Sequence, residues 1–288
     1  MTAKNILGKK GSLLLFGVLL VATGCIGGGG VGAEDVREAS VGSMDEVDTY
    51  AFDTTTDIEA QAGGDTEDSL SVTVFTRGTA SESADRMKTS SNLVINKETV
   101  DQETYTENGT AYVRLRTGED GESSGWLRRG NSSSTPVENH VGILEASEVG
   151  YGGEETVDNE SAHVLSAGTD TEEYRDFVLG TVETPLTNAG VVTDELLDDA
   201  EVRNASLRYL VSEESDRILR VESNATVSAA VPNAEGELVM QVETETSFSS
   251  YGGEGKLQST ARHRKRRGKQ RLRQFSVGLR GGEWGPGA

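Results

Sequence analysis

Cysteine occurs once in this 288-residue chain, histidine three times, and aromatic residues make up only 5% of it. A single cysteine excludes an intrachain disulfide framework and any cysteine-based metal site, so a folded domain must rely on a real apolar core. The histidines, His140, His163 and His263, stand far apart and form no metal-ligand spacing along the chain. No phosphate-cradling glycine loop, nucleophile elbow or EF-hand loop occurs, and nothing singles out one of the 27 serines as a nucleophile. The reading is therefore of a protein that is not an enzyme, with no cofactor and no metal site.

Lysine is scarce as well. Residues 26–260 carry 47 Asp and Glu against 15 Lys and Arg, and only Lys88, Lys97 and Lys256 among the bases are lysines. Such an excess repels itself in dilute salt and is screened within about 3 Å at molar ionic strength. The composition fits a salt-adapted, halophilic protein and excludes nucleic acid as a partner. It also lowers the value of paired carboxylates such as Asp198-Asp199 and Glu154-Glu155, which belong to a solvated acidic surface.

A long apolar run is missing too. The one strongly apolar stretch, Leu13 to Ala22, follows Lys9 and Lys10 and is half the roughly 20 residues a bilayer-spanning helix needs. A basic start, a short apolar run and small residues make an export signal over residues 1–24. Ala22-Thr23-Gly24-Cys25 resembles the lipobox of prokaryotic lipoproteins, which implies lipid attachment at Cys25 and a position on the extracytoplasmic face of the cell membrane. Residues 25–44, glycine-rich and then polar, read as a tether with a short helix near Val36 to Ala39.

From residue 45 to 255 the pattern is mostly of period two. Tyr50, Phe52 and Ile58, then Leu70, Val72 and Val74, then Leu93 to Ile95, then Val113 and Leu115 mark successive strands. Asn108-Gly109 is a two-residue hairpin signal between Glu103–Thr106 and Ala111–Leu115. Val141 to Val149 has near-helical spacing, Tyr151-Gly152-Gly153 breaks it, and Val157 to Ala167 returns to strand. Thr171 caps a helix carrying Tyr174, Phe177 and Val178 on one face, Pro185 interrupts it, and Asp194 to Leu197 is a second helical turn. Leu207, Tyr209 and Val211, then Arg217 to Val221, then Leu238, Met240, Val242 and Phe248 are strands again. The fold class that follows is α+β: one large antiparallel sheet, apolar on one face, with helices inserted mid-chain to cover it.

Two further features stand out. Five Asn-X-Ser/Thr sequons, at Asn108, Asn131, Asn159, Asn204 and Asn224, are candidates for N-glycosylation. Residues 256–288 are basic, with nine Lys and Arg against Glu283 from residue 261 onward. This tail is either a binding segment for anions or the product of a shifted reading frame.

The order of these elements carries a resemblance. An export signal with its cysteine precedes Thr49-Tyr50-Ala51-Phe52. A meander follows that ends Asn108-Gly109-Thr110-Ala111-Tyr112-Val113, then come helices, then Leu207 to Val211 and Arg217 to Val221. This resembles lipoproteins of the LolA/LolB-like and LppX/LprG-like superfamily, of a haloarchaeal type, over roughly residues 45–250. The resemblance implies an incomplete barrel lidded by helices around a cavity for acyl chains. The cavity wall would be Phe52, Val72, Val74, Val113, Leu115, Leu207, Tyr209, Leu238, Met240 and Val242, with Tyr174, Phe177 and Val178 as lid. The same residues are also what a packed core requires. The expected function is to bind or carry a lipid or other apolar ligand as a monomer; the alternative is an envelope lipoprotein that docks a protein partner and takes no small ligand.

Overall fold

The computed structural model describes residues 32–62, 69–95, 98–117, 122–131, 135–188, 192–230 and 236–252. The signal segment, Cys25 and the basic tail lie outside them. A first helix α1 (Ala33–Asp45) leads into a meander of β1 (Thr49–Ala62), β2 (Ser69–Ser81), β3 (Arg86–Ile95), β4 (Glu98–Glu107) and β5 (Thr110–Thr117). Two short strands, β6 (Glu122–Ser123) and β7 (Leu127–Asn131), both pair with β5. Helix α2 (Pro136–Ala146), the hairpin β8 (Val149–Val157) and β9 (Glu160–Ala167), and helices α3 (Glu172–Asn188) and α4 (Asp194–Asp198) fill the middle. Strands β10 (Glu201–Ser212), β11 (Ile218–Ala230) and β12 (Glu237–Ser249) complete it. The strands form one antiparallel sheet in the order β6-β5-β4-β3-β2-β1-β12-β11-β10-β9-β8, with β7 beside β6 on β5. The sheet is open: its ends, β6 and β8, do not meet. The protein thus has the expected α+β class, with one large antiparallel sheet.

Local chemistry explains the turns. Asn108 and Gly109 have φ of 50° and 64°, and Asp158 and Asn159 have 49° and 71°, so both two-residue hairpins use left-handed positions that asparagine, aspartate and glycine tolerate. Helix α2 begins at a capping box. The Thr135 hydroxyl accepts the Glu138 amide, the Glu138 carboxylate accepts the Thr135 amide at 2.6 Å, and Pro136 occupies the first turn. It therefore starts five residues before the helix read from apolar spacing and ends before Val149, which belongs to β8. Tyr151-Gly152-Gly153 is a bulge within that strand and not a break.

Two other readings need correction. Residues 33–44 are not tether but the greater part of α1, whose Val36, Ser40 and Met44 lie one turn apart and are all buried. The short helix expected near Val36 to Ala39 is thus longer in both directions, its full extent masked by the serine at the centre of that stripe. Pro185 does not interrupt α3, because Val182 and Leu186 on either side are fully buried and their packing outweighs the amide that proline lacks.

The core lies on one sheet face. Tyr50, Phe52, Ile58 and Ala60 of β1, Val72 of β2, Leu238, Met240 and Val242 of β12, Val221 and Val227 of β11, Leu207 and Tyr209 of β10, and Leu165 of β9 pack with the helices. Within this face Thr54 meets Thr246 at 3.1 Å and Thr56 meets Thr244 at 3.3 Å, so the polar atoms of the threonine band pair with one another. Apart from a small apolar cluster of Val157, Ala162 and Leu210, the opposite face is wet and ionic, as in Arg77–Asp53 at 2.5 Å and Arg208–Glu222 at 2.7 Å. Such exposed pairs contribute about 0–1 kcal/mol each.

Gly78 faces Phe52 across β1 and β2, and a β-carbon there would overlap the Phe52 ring. Phe52 is only 2% exposed and has little room to retreat. Gly78→Ala is expected to destabilise the fold by about 1–3 kcal/mol, the usual cost of overpacking. Urea unfolding of the two proteins checks this; equal midpoints would show that the ring repacks freely.

Candidate functional site: an apolar sheet face covered only in part

The helices cover the face unevenly. Helix α1 packs on β8 and β9, α4 on β11, and α3 reaches β2. Helix α2 is held over β1 and β10 by two tyrosines: the Val137 amide donates to the Tyr50 hydroxyl at 3.3 Å, and the Tyr209 hydroxyl donates to the His140 carbonyl at 3.0 Å. At the ring level His140 sits among Phe177, Phe248 and Tyr209, with centroids 5.1, 5.8 and 6.3 Å away. Tyr174 ties α3 to β11 through Ser223 at 3.0 Å and the Asn224 carbonyl at 3.2 Å. Burial holds its phenol above the ordinary value and does so more strongly for Tyr209.

Beyond β2 the covering thins. Register carries the core face outward from Val72 opposite Ile95 and Val74 opposite Leu93, through Leu93 opposite Val100, to Val113 opposite Leu127. Along this path Leu70, Val74, Leu93, Ile95, Val100 and Leu115 are half-buried, and Leu127 is 46% exposed. The intervening polar groups bond to one another, Thr76 with Ser91 at 2.9 Å and Gln102 with Thr104 at 3.2 Å. The face here is mixed, apolar at Leu93, Ile95, Val100, Val113 and Leu115 and polar between them.

The proposed cavity wall therefore divides. Phe52, Val72, Leu207, Tyr209, Leu238, Met240 and Val242 are at most 5% exposed and belong to the packed core beneath the helices. Val74 borders that core, while Val113 and Leu115 lie on the thinly covered side and outside the main cluster. The lid residues Tyr174 and Val178 are fully buried, and Phe177 packs against the core from its edge. Leu93, Ile95, Val100 and Leu127 were absent from the sequence-derived wall. Extending the Asn108-Gly109 hairpin register through β4 into β3 would have placed Val100, Leu93 and Ile95 on the same face.

Other sites fall as follows. Asn108, Asn159, Asn204 and Asn224 have exposed side chains; Asn108 and Asn159 sit in hairpin turns, Asn204 at a bulge in β10, and Asn224 within β11. The Asn131 side chain lies outside the described residues. A polar depression of about 360 Å³ on the wet face is walled by Asp57, Glu222, Glu243 and Glu245. Sequence spacing revealed no metal ligands, yet the fold brings donor atoms of Glu154, His163 and Glu213 within 4.8 Å of one another. Among the described residues no helix is long and apolar enough to cross a membrane, which says nothing of β-barrels.

A family model described as the GW (Gly-Tryp) dipeptide domain matches residues 54–131, less than half of the chain. That span runs from β1 to β7 and contains Gly125-Trp126, with the Arg114 guanidinium 5.0 Å above the tryptophan ring. No curated protein matches by sequence. Among solved structures, a DUF1329 family protein from Desulfovibrio piger is similar over 79% of this chain and 95% of its own, at 12% identity and a TM-score of 0.27. A LolA superfamily protein from Nitrosomonas europaea is similar over 77% and 93%, at 10% identity and a TM-score of 0.22. The MucA/MucB complex of Pseudomonas aeruginosa is similar over 80% and 61%, at 12% identity and a TM-score of 0.28. At such scores the architecture rests on this chain's own strand pairing.

Proposed function

We propose that this protein is an extracytoplasmic binding module, anchored to the cell membrane by a lipid on Cys25, that holds a lipid or other apolar ligand against the face of β3, β4 and β5. The observation that carries this reading is the half-covered apolar face itself. One end of the sheet has its apolar side filled by four helices, and the other presents Leu93, Ile95, Val100, Leu115 and Leu127 with only partial cover. Water contact at such a face costs roughly 25 cal/mol per Å², so an acyl chain laid along it is favoured without any polar contact. The helix-covered half supplies the rigid platform. The role is binding rather than catalysis, and the monomer suffices for it.

Native mass spectrometry of the tag-free protein, purified in high salt and incubated with membrane extract, tests this. Lipid-sized adducts are expected; a clean unliganded mass would count against the reading and favour an envelope protein as the occupant of that face. The anchor has its own check. Cys25→Ser is expected to move the protein out of the membrane fraction, and unchanged fractionation would refute lipid attachment there.

A further inference from the structure

At the other end of the sheet, at the margin of the helix-covered half, a different kind of site is assembled. Glu154 of β8 and His163 of β9 are direct cross-strand partners, so their side chains share a face. His163 is in turn opposite Val211 of β10, and Glu213 follows two residues later with the same parity. The Glu213 amide donates to the Ser161 carbonyl at 3.0 Å, which fixes its backbone against β9. The turn that follows is held by the Ser212 hydroxyl, which accepts the amides of Glu214 and Ser215 at 3.2 and 3.1 Å. Nδ1 of His163 lies 4.0 Å from a Glu213 carboxylate oxygen and 3.1 Å from the Tyr151 hydroxyl, and that hydroxyl is 3.5 Å from Glu154.

We propose that Glu154, His163 and Glu213 bind a divalent transition metal ion. One imidazole nitrogen with two carboxylates is a donor set suited to zinc or manganese, whereas calcium and magnesium prefer oxygen alone. Ligands about 2.1 Å from one ion stand roughly 3–3.5 Å apart, so the two glutamates must swing inward by about 1 Å. Both are exposed and free to do so, while the less exposed His163 stays fixed by the sheet. Glu213 also borders a polar depression of about 630 Å³ lined by Asp158, Glu160 and Glu214, which gives a cation an open and electrostatically favourable approach. The Tyr151 hydroxyl lies against Nδ1, so a metal coordinated at that nitrogen must displace it. Bound metal would join edge strand β8 to the turn after β10. Through the hydrogen bond from the Ser43 hydroxyl to the Ser215 carbonyl at 2.9 Å, it would also be linked to α1.

The test is titration of the full chain, without a histidine tag, with cobalt(II) and zinc(II), followed by cobalt absorbance and calorimetry. One ion per chain is expected, with zinc displacing cobalt and magnesium failing to compete at tenfold excess. His163→Ala removes the only nitrogen donor and is expected to weaken binding on the order of 100-fold; the Glu154→Gln and Glu213→Gln variants should each weaken it about tenfold. A tyrosine absorbance change should accompany loading and vanish in Tyr151→Phe. Glu243→Gln with Glu245→Gln, in the acidic depression of the wet face, should leave binding unchanged. Equal binding by His163→Ala, or equal competition by magnesium, would mean diffuse attraction to an acidic surface and would overturn the proposal. Should His163→Ala fail to fold by circular dichroism, the Glu154→Gln, Glu213→Gln double variant decides in its place.

Discussion

Glutamate at positions 100 and 115 is expected to abolish lipid retention while the protein remains folded. Val100 and Leu115 are half-buried on the thinly covered side of the sheet and belong to no buried cluster. A carboxylate at either position can turn to water, so the folding cost is that of a surface substitution, within about 1 kcal/mol per site. For a bound acyl chain the same change replaces two apolar contacts by two charges. Each lost contact is worth about 1.5–3 kcal/mol when fully made, so the Val100→Glu, Leu115→Glu variant should bind at least on the order of 100-fold more weakly. The contrast is with the other half. Met240→Glu puts a charge where nothing is exposed and no counter-charge waits, and it should prevent folding altogether. Lipid adducts counted by mass, with thermal melting of each variant, separate the two outcomes. Full retention of lipid by the Val100, Leu115 variant would place the ligand elsewhere.

Acidification is expected to remove about 3 kcal/mol of stability through one residue, on the linkage between burial and proton affinity. Burial among Phe177, Phe248 and Tyr209 holds His140 down from 6.5 to about 4. Between those values the unfolded chain takes up a proton that the native state refuses. Stability from this group is therefore complete above pH 6.5 and declines as pH falls, with the loss complete below about pH 4. The Nδ1 atom has no hydrogen-bond partner, so no compensating bond keeps the charged ring in place. Urea midpoints measured from pH 7 to pH 4 should fall, and His140→Leu should flatten that limb because its side chain cannot titrate in an apolar setting. Parallel limbs in both proteins would assign the acid sensitivity to carboxylates instead. Since His140 lies on α2, its protonation loosens the helix that Tyr50 and Tyr209 hold over the sheet.

Much of the sheet was legible because period-two parity and turn chemistry are local. Asn108-Gly109 fixed a hairpin from two letters, and Leu238, Met240 and Val242 announced their face by alternation alone. Thr171 was recognisable as a cap, and its hydroxyl does accept the Tyr174 amide at 3.2 Å. Helix α1 was read as only a short turn near Val36 to Ala39, because its buried stripe runs Val36, Ser40, Met44, and a serine in mid-stripe carries no hydrophobic signal. The start of α2 was written in Thr135-Pro136-Val137-Glu138, a capping signal that apolar spacing ignores. Parity also has a limit of principle: it says which side chains share a face, not which part of that face a helix will cover. Phe52 and Leu115 look alike in sequence, and only the placement of α2, α3 and α4 makes one of them core and leaves the other half-exposed. Likewise Glu154, His163 and Glu213 meet only through the pairing of β8 with β9 and β9 with β10, so chain spacing carries no trace of them.

The binding role requires that apolar ligand lie on the open end of the sheet. Photolabelling with a fatty acid carrying a diazirine near its terminal methyl, followed by peptide mapping, addresses it directly. Adducts are expected on β3, β4, β5 and β7, centred on Leu93, Val100, Leu115 and Leu127. Labelling confined to the helices or to the ionic face around Asp53 and Glu222, or no labelling above that of a denatured control, would contradict it.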